Sequence, residues 1–470
     1  MFDDRCPVTD SQSIDPTSGD PFLASWMARL LSVPEAAHLS LLDVSLPGSH
    51  DALSYDLSLR VSDGGIDGLE KVAAALHVAT NAMPDSLEDY IRQQGATQGL
   101  TVTQQLDSGI RFLDLRVMYE YTDKKNPQWY SLHLAETNEV FLTYAKEIRS
   151  WLDAHSQEIV VLWISKHGGA CDVGEQQYPK TSVEEKRAFW SHIEAVFAGL
   201  LFDAAESSIS TTPLLTLIER KQRVVIMAAD WVEFTDSSRF ALDSCASLTN
   251  MLGPGVSNET AAMQWENELF ATFSLETPER QQAKAEERFL LMSLATGVPA
   301  AQMTLAALCK YLPGKNKELN AKCAEAFHVP GMTTCPETLL DIAALENYYK
   351  QLTLDAVVTK QQQEEHTTWG FPNAIYINAI DFDGTVRTGT QVMWGKPRSA
   401  DVSHSVSAYA YADSLVLFNA YLACGSGATA GGEACQELKA ALHKRRARHP
   451  LLLWSDERLG RRTSWDGVIA

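Results

Sequence analysis

The chain contains no stretch of about 18 uncharged apolar residues, the minimum for a membrane-spanning helix. The nearest candidate, 406–424, is interrupted by Asp413 and rich in Ala, Tyr and Ser, so it is expected to be a packed helix. Basic residues are scarce: 39 Lys and Arg stand against 60 Asp and Glu, for a net charge of −21. Nucleic-acid binding draws much of its affinity from a basic footprint, so that class is not expected. Cysteines number eight and are scattered, with no Cys-x-x-Cys pair and no zinc spacing. That usage is expected of a mostly reduced, intracellular protein. Cys424 and Cys435 flank a Gly/Ala loop and could pair if the protein were secreted. The opening residues, Met-Phe-Asp-Asp-Arg-Cys, lack the basic and then apolar signature of a signal peptide. The expected location is therefore cytoplasmic, with peripheral membrane contact left open.

What is present is a large apolar inventory. The chain has 470 residues, 45% of them hydrophobic, enough for one large barrel-like core or two domains. Apolar runs at 41–46, 110–118, 129–134, 158–165, 222–229, 288–295 and 374–381 are expected strands, with a further short one near 263–270. Several are apolar throughout, as parallel strands buried on both faces are. Helical patterns fill the intervals; the clearest spans 137–155, where Val140, Phe141, Tyr144, Ile148, Trp151 and Leu152 recur at helical spacing after Thr137 or Asn138 as N-cap. About eight strands with helices between them predict an α/β fold, an irregular (β/α)₈ TIM-like barrel. The expected organisation is a loose leader over 1–22, a catalytic barrel over 23–400 with an insertion at about 296–368, and a C-terminal extension over 401–470 packed on or beside the barrel. A shorter, partly helical insertion is expected at 62–99.

Polar groups fall at or near the C-terminal ends of the expected strands, where barrels place their chemistry. Leu46-Pro47-Gly48-Ser49-His50-Asp51 is expected to be a tight Pro-Gly turn that aims His50 out of a strand. Asp114 and Arg116 alternate along one strand and so share a face, away from Arg111 and Leu115. His133 ends the next apolar run. Two imidazoles and a guanidinium can cleave a phosphodiester without a metal: one takes a proton, one gives a proton, and the guanidinium holds the charge that builds on phosphorus. Asp381, ending an apolar run, can fix an imidazole tautomer; Asp383 is the runner-up. Lys166 is expected to add positive charge to the mouth and Asp230 to contact substrate hydroxyls. Each has a plainer reading, as a structural histidine, a buried ion pair, a turn-capping acid or a solvated strand-end lysine.

These residues resemble the X-domain of phosphatidylinositol-specific phospholipases C, in the single-domain branch shared by bacterial enzymes and short eukaryotic X-domain proteins. The matching stretches are Trp26-Met27, Leu46 to Asp51, Thr103 to Val117, His133, Ile148 to Ile164 and Asn373 to Gly384. The resemblance implies that His50 is the general base on the inositol 2-hydroxyl, oriented by Asp381. It implies that Arg116 neutralises the phosphate and that His133, assisted by Asp51, protonates the diacylglycerol oxygen. Asp114 would hold Arg116 and the hydroxyl network. The products would be diacylglycerol and a cyclic inositol phosphate. The second histidine is followed here by Leu134, where relatives often have Gly or Phe.

No cofactor is expected. Calcium-dependent relatives place an acid where this chain has Arg116, and a guanidinium there repels a Ca²⁺ ion that wants several carboxylate oxygens. The expected partner is a phospholipid at a membrane surface. His443-Lys-Arg-Arg-Ala-Arg448, followed by Leu451-Leu-Leu-Trp454, could sit on an anionic surface or be a helix end and strand packed on the barrel. The alternatives to phosphatidylinositol are a glycosylated inositol lipid, a glycerophosphodiester, or a degenerate barrel that only binds a headgroup. The intact pair of histidines speaks against the last.

Overall fold

The computed structural model describes residues 20–63, 92–122, 124–166, 171, 178, 181–229, 239–252, 278–294, 372–378, 386–388, 391–393, 410–425 and 430–446, with isolated positions between 318 and 358. One ten-stranded sheet dominates these residues. Its parallel wall runs β8 (Leu248–Leu252), β9 (Phe289–Leu294), β10 (Ala374–Ile377), β1 (Leu46–Ser49), β3 (Phe112–Glu120), β6 (Val160–Ser165) and β7 (Val224–Met227). β6, β9 and β10 are buried at every position, as strands covered on both faces must be. Among the described residues β7 does not pair with β8; instead Met227 makes a lone parallel bridge to Leu242. The expected strand at 263–270 and most of the insertion at 296–368 lie outside the described residues.

Helices cover the wall. They are α1 (Trp26–Leu31), α2 (Val102–Asp107), α3 (Phe141–Ala154), α4 (Val183–Val196), α5 (Leu214–Glu219), α6 (Ser244–Ser247), α7 (Pro278–Ala285), α8 (Ala410–Cys424) and α9 (Glu433–Arg446). Thr101 opens α2 with a capping box to Gln104, and Ser182 does the same for α4 with Glu185. On α3 the buried residues are Phe141, Tyr144, Ala145, Ile148, Trp151 and Leu152, the stripe expected from spacing.

Three expectations are corrected. Residues 41–44 form turns, and the strand is Leu46–Ser49, so Pro47-Gly48 lies inside β1 and is not a turn. Gly48 is required because a Cβ would stand 2.7 Å from the Ile375 carbonyl oxygen of the neighbouring strand. The helix expected from 137 begins at Phe141, because Ala135–Val140 is strand β5, paired with β4 (Gln128–His133) in an antiparallel hairpin. β4 is therefore not a wall strand. β3 overshoots the wall: its residues 112–116 pair with β6, while 117–120 pair antiparallel with β4. β4 returns along this overhang and brings His133 back to the rim. β2 (Leu57–Val61) completes the overhang beside β5.

At the opposite end of the wall, Arg111 is fully buried. Its Nε and Nη2 donate to Glu158 Oε2 at 2.9 and 2.7 Å, and its other N–H groups reach the carbonyls of Leu23, Ala24, Leu106 and Ile110. Glu158 also accepts from the backbone of Met27 and Ala28. The motif residues around Trp26 and Glu158 thus tie α1 to the base of β3 and β6.

α8 is buried along 411–421 and packs against β1. Tyr411 donates its hydroxyl to the Ile375 carbonyl, and Asn419 exchanges two 2.8 Å hydrogen bonds with the backbone of Ser45. On α9, Arg445 pairs with Asp20 and Asp413, Arg446 is buried, and His443 Nε2 lies 2.6 Å from the Tyr421 hydroxyl. Of the two readings of the basic run, its described part thus fits the packed one better; 447–454 lie outside the described residues. Cys424–Cys435 and Cys171–Cys245 are disulfides, so every cysteine among the described residues is bonded. The Cys424–Cys435 pairing left open by the sequence is made, and the expectation of reduced cysteines is corrected at Cys171 and Cys245. Spacing alone carried no sign of the Cys171–Cys245 pair, which only the folded chain brings together.

Candidate active site

His50 follows the last residue of β1 and is 9% exposed. Asp51 comes next with φ +44°, a left-handed turn that folds its carboxylate back under the imidazole. Asp51 Oδ2 lies 3.3 Å from His50 Nδ1 and 3.5 Å from His133 Nε2, and its Oδ1 pairs with Arg116 Nε. Arg116 Nη2 donates to His50 Nε2 at 2.8 Å and to Asp114 Oδ2 at 3.3 Å. The two imidazoles stand edge to face with centroids 6.2 Å apart. Five of the expected residues, His50, Asp51, Asp114, Arg116 and His133, are therefore in one contact network at the rim. Asp114 and Arg116 share a face, as their alternation predicts.

Their electrostatics follow from burial. Asp51 is pushed up to about 6 by desolvation, against the pull of Arg116. Asp114 rises to about 6 for the same reason, with the Asp51 carboxylate adding to the rise and Arg116 opposing it. Burial works against the Arg116 charge, but Asp51 and then Asp114 hold its pKa above the ordinary guanidinium value. Burial and then the Arg116 field lower His133 to about 4, so its imidazole is neutral at pH 7. One cation sits between two carboxylates that cannot both be easily charged, and a neutral imidazole faces them.

Other expected residues fare differently. Lys166 follows β6 directly and is buried; in register, Ser165 lies beside Arg116. Asp381, Asp383 and Asp230 lie outside the described residues. Among the described residues, Asn378 Oδ1 lies at hydrogen-bond distance from His50 Nδ1, 2.6 Å away. The run expected to extend to 381 ends as a strand at Ile377, and Asn378 is the next residue. Its place directly after the apolar residues Ala374–Ile377 was the available signal.

Three further residues went unpredicted. Gly95 accepts from His133 Nδ1 through its carbonyl at 2.6 Å. Gln98 Nε2 donates to the carbonyls of His50 and Ile377 at 2.8 and 2.9 Å. Tyr376 stacks on His50 with centroids 5.1 Å apart. A main-chain acceptor carries no side-chain signature, so Gly95 was not legible in the sequence.

His50, Asp51 and Asp114 bring ligand atoms within 4.8 Å of one another, a spacing a metal ion could use. The donor set does not fit one, because Arg116 already lies against both carboxylates and the imidazole.

Residues 91–184 match the family model described as PI-PLC X 1. The chain is 27% identical over 186 residues to human PI-PLC X domain-containing protein 1, covering 36% of this chain and 54% of that protein. It is 33% identical over 146 residues to human PI-PLC X domain-containing protein 2, covering 31% of this chain and 44% of that protein. The chain spans about half the length of these curated relatives. Among solved structures it is similar to a pentafluoro-Phe-containing phosphatidylinositol-specific phospholipase C from Staphylococcus aureus (TM-score 0.45, 12% identity, 84% of this chain and 97% of that one). The phosphatidylinositol-specific phospholipase C from Listeria monocytogenes gives a TM-score of 0.40 at 13% identity, over 76% of this chain and 93% of that one.

Proposed function

Since this chain carries an X domain of the PI-PLC family, we propose that it is a metal-independent phosphodiesterase that cleaves a phosphatidylinositol-type lipid by paired histidine acid–base catalysis. The supporting observation is the continuous path from His50 Nε2 through Arg116 and Asp51 to His133 Nε2. In this reading the irregular barrel wall closes around that site. His50 Nε2 accepts the proton of the inositol 2-hydroxyl as its oxygen attacks phosphorus. Arg116 leaves its resting contact with Nε2 to meet the phosphoryl oxygens, held meanwhile by Asp51 and Asp114. The bond to the diacylglycerol oxygen breaks, and His133, protonated at Nε2 when the substrate binds, gives that proton to the oxygen. A cyclic inositol phosphate and diacylglycerol result, with atoms and charge balanced. Lys166 adds positive charge to the mouth, and Asp230 and Asp381 are proposed as substrate-facing and supporting acids.

A neutral His133 is a poor acid at rest. The phosphodiester anion, seated on Arg116, cancels part of the field that depresses the imidazole. Protonation of His133 is thereby coupled to substrate binding, and Asp51, itself pushed up to about 6, stands 3.5 Å away to exchange that proton. The proposed metal independence is supported by the guanidinium that already lies where a cation would sit.

One observation favours a second substrate. The four described cysteines are all in disulfides, which persist in oxidising compartments. A protein matured there meets lipids of the outer leaflet, including glycosylated inositol lipids. No helix among the described residues is long and apolar enough to cross a membrane.

The test is release of headgroup from phosphatidylinositol vesicles and from a glycosylated inositol lipid in excess EDTA, with wild type and His50→Ala. Turnover that survives chelation and disappears in the variant supports the reading, and the preferred lipid identifies the substrate. Turnover lost in EDTA and restored by Ca²⁺ overturns the metal-free mechanism.

A further inference from the structure

β1 and β10 are parallel and in register, Ser49 beside Ile377. The next residue on each strand is His50 and Asn378, so the pair meets at the rim as a consequence of register. Both are buried. The His50 N–H continues the ladder to the Ile377 carbonyl at 3.1 Å. The Ile377 carbonyl thus has one ladder partner, and it and the His50 carbonyl take further donors from outside the two strands. Gln98, itself 1% exposed, supplies them: one amide nitrogen donates to both oxygens. The Thr97 hydroxyl adds a third donor, 3.0 Å from the His50 carbonyl.

The proton on the His50 ring is determined by its neighbours. Arg116 has only donors, so Nε2, 2.8 Å from its Nη2, must be the lone-pair nitrogen. Nδ1 then carries the hydrogen and needs an acceptor, which Asn378 Oδ1 provides. The reverse orientation of the Asn378 amide would set its NH₂ against Nδ1 and push the ring hydrogen onto Nε2. That hydrogen would point at the Arg116 N–H, donor against donor. The network accommodates one arrangement.

We propose that Asn378 is the positioning residue of His50, holding it in the Nδ1–H tautomer through an uncharged acceptor, and that Gln98 clamps the strand ends that carry the two. The inference deepens the phosphodiesterase reading and rests on it for its catalytic meaning, but the tautomer itself does not require turnover. An amide in this place has a specific consequence. A carboxylate would stabilise the imidazolium formed after proton abstraction; an amide orients the ring without that stabilisation. The base thereby stays a weaker proton trap, and the two carboxylates nearby, Asp51 and Asp114, share the single positive charge of Arg116. Among the described residues, the charged and titratable groups facing His50 are Asp51 after β1, Asp114 and Arg116 on β3, His133 on β4 and Tyr376 on β10. Of these, Asp51 Oδ2 also approaches Nδ1, at 3.3 Å, a longer contact than the 2.6 Å of Asn378 Oδ1.

The experiment is two-bond ¹H–¹⁵N correlation of ring-labelled histidine in the full chain across pH, for wild type, Asn378→Asp, Asn378→Leu and Gln98→Met. The His50 signal is assigned by its loss in His50→Ala. Wild type is expected to show a neutral Nδ1–H ring. Asn378→Asp keeps that tautomer and raises the His50 pKa by about 1–3 units, as a new opposite charge at this range does. The acid limb of kcat/KM moves up by the same amount. Asn378→Leu, which keeps the shape and removes the acceptor, gives a mixed tautomer and a kcat loss with KM little changed. Gln98→Met broadens the His50 signal in the same sense, and a melting temperature near wild type shows that the fold is retained. An Nε2–H ring in wild type, or a tautomer and pKa indifferent to Asn378→Asp and Asn378→Leu, overturns the proposal. A locked tautomer in a protein that cleaves none of the lipids supports the positioning role while removing the lipase reading.

Discussion

Nδ1 of His133 donates to the Gly95 carbonyl at 2.6 Å, while a Cβ on Gly95 would collide with the His133 carbonyl in turn. The two backbones are thus pressed together where the candidate acid is oriented. The contact leaves Nε2 as the nitrogen that faces Asp51, and it uses a group that any residue possesses but a position that only glycine fits.

Gly95→Ala should displace His133 without disturbing the wall. A misplacement near 1 Å is enough for a roughly 10²-fold loss. The expected result is that kcat for inositol lipid cleavage falls by about that factor, with far-UV circular dichroism unchanged. Wild-type turnover in the variant would show that the contact does not position the acid.

Removing either imidazole should be more severe. His50→Ala and His133→Ala are each expected to lower kcat by about 10²–10⁴, the usual contribution of a general acid or base. The double variant should be little worse than the worse single one, because the two act in one proton path. Additive losses, measured on short-chain inositol lipid to avoid vesicle effects, would instead mean independent roles.

His133 is held near 4 by burial and the Arg116 field. An anion on Arg116 should release part of that depression. Titrating the His133 ring by NMR with and without an inositol phosphate should show its pKa rise toward the ordinary imidazole value, by one unit or more. An unmoved pKa with the anion demonstrably bound would separate the acid from the phosphate site.

Glu120 lies buried in the overhang, where it accepts from the Ser62 hydroxyl and, at 2.7 Å, from the Asp63 N–H. Desolvation pushes it up to about 7, with Asp63 and Glu136 adding to the rise and those hydrogen bonds opposing it. A carboxyl raised in the folded state contributes stability that is whole below its unfolded value, near 4.5, and is lost as pH rises through about 7. The loss amounts to about 3 kcal/mol at 1.36 kcal/mol per unit. Glu120→Gln should flatten that slope between pH 4.5 and 8 in urea unfolding; an unchanged slope places the titration elsewhere.

Cys424–Cys435 closes a short loop between α8 and α9. Removing it as Cys424→Ser/Cys435→Ser should cost about 2–4 kcal/mol in urea unfolding. The active-site network lies on other elements, so kcat should hold. Free-thiol counting on protein recovered from its native source should find none of the four described cysteines reactive. Reactive Cys424 or Cys171 in that material would favour a reducing compartment.

Much of the wall was legible in the sequence because burial on both faces writes itself as an uninterrupted apolar run, as in β6, β9 and β10. The helix α3 was legible for the matching reason, a buried stripe at helical spacing. Its start was misplaced because Thr137 looks like an N-cap in isolation, while β4 claims the same residues as a strand partner. The turn read into Pro47-Gly48 failed similarly. Pro and Gly punctuate turns locally, but here Gly48 is demanded by a strand more than 300 residues away in sequence.

The amino-acid sequence by itself determined which chemical groups the rim holds: two histidines, one arginine and two aspartates, with Asp114 and Arg116 on one face by strand alternation. Local spacing suffices for that, since neighbours along a strand are neighbours in space. The tertiary structure alone decided how those groups are oriented. Asn378 reaches His50 through the register of β1 with β10, Gly95 reaches His133 through the return of β4 along β3, and Arg116 lies between two acids that burial makes reluctant to ionise. Hydrogen-bond direction and desolvation depend on what the distant chain brings within 3 Å, and no single segment contains that information.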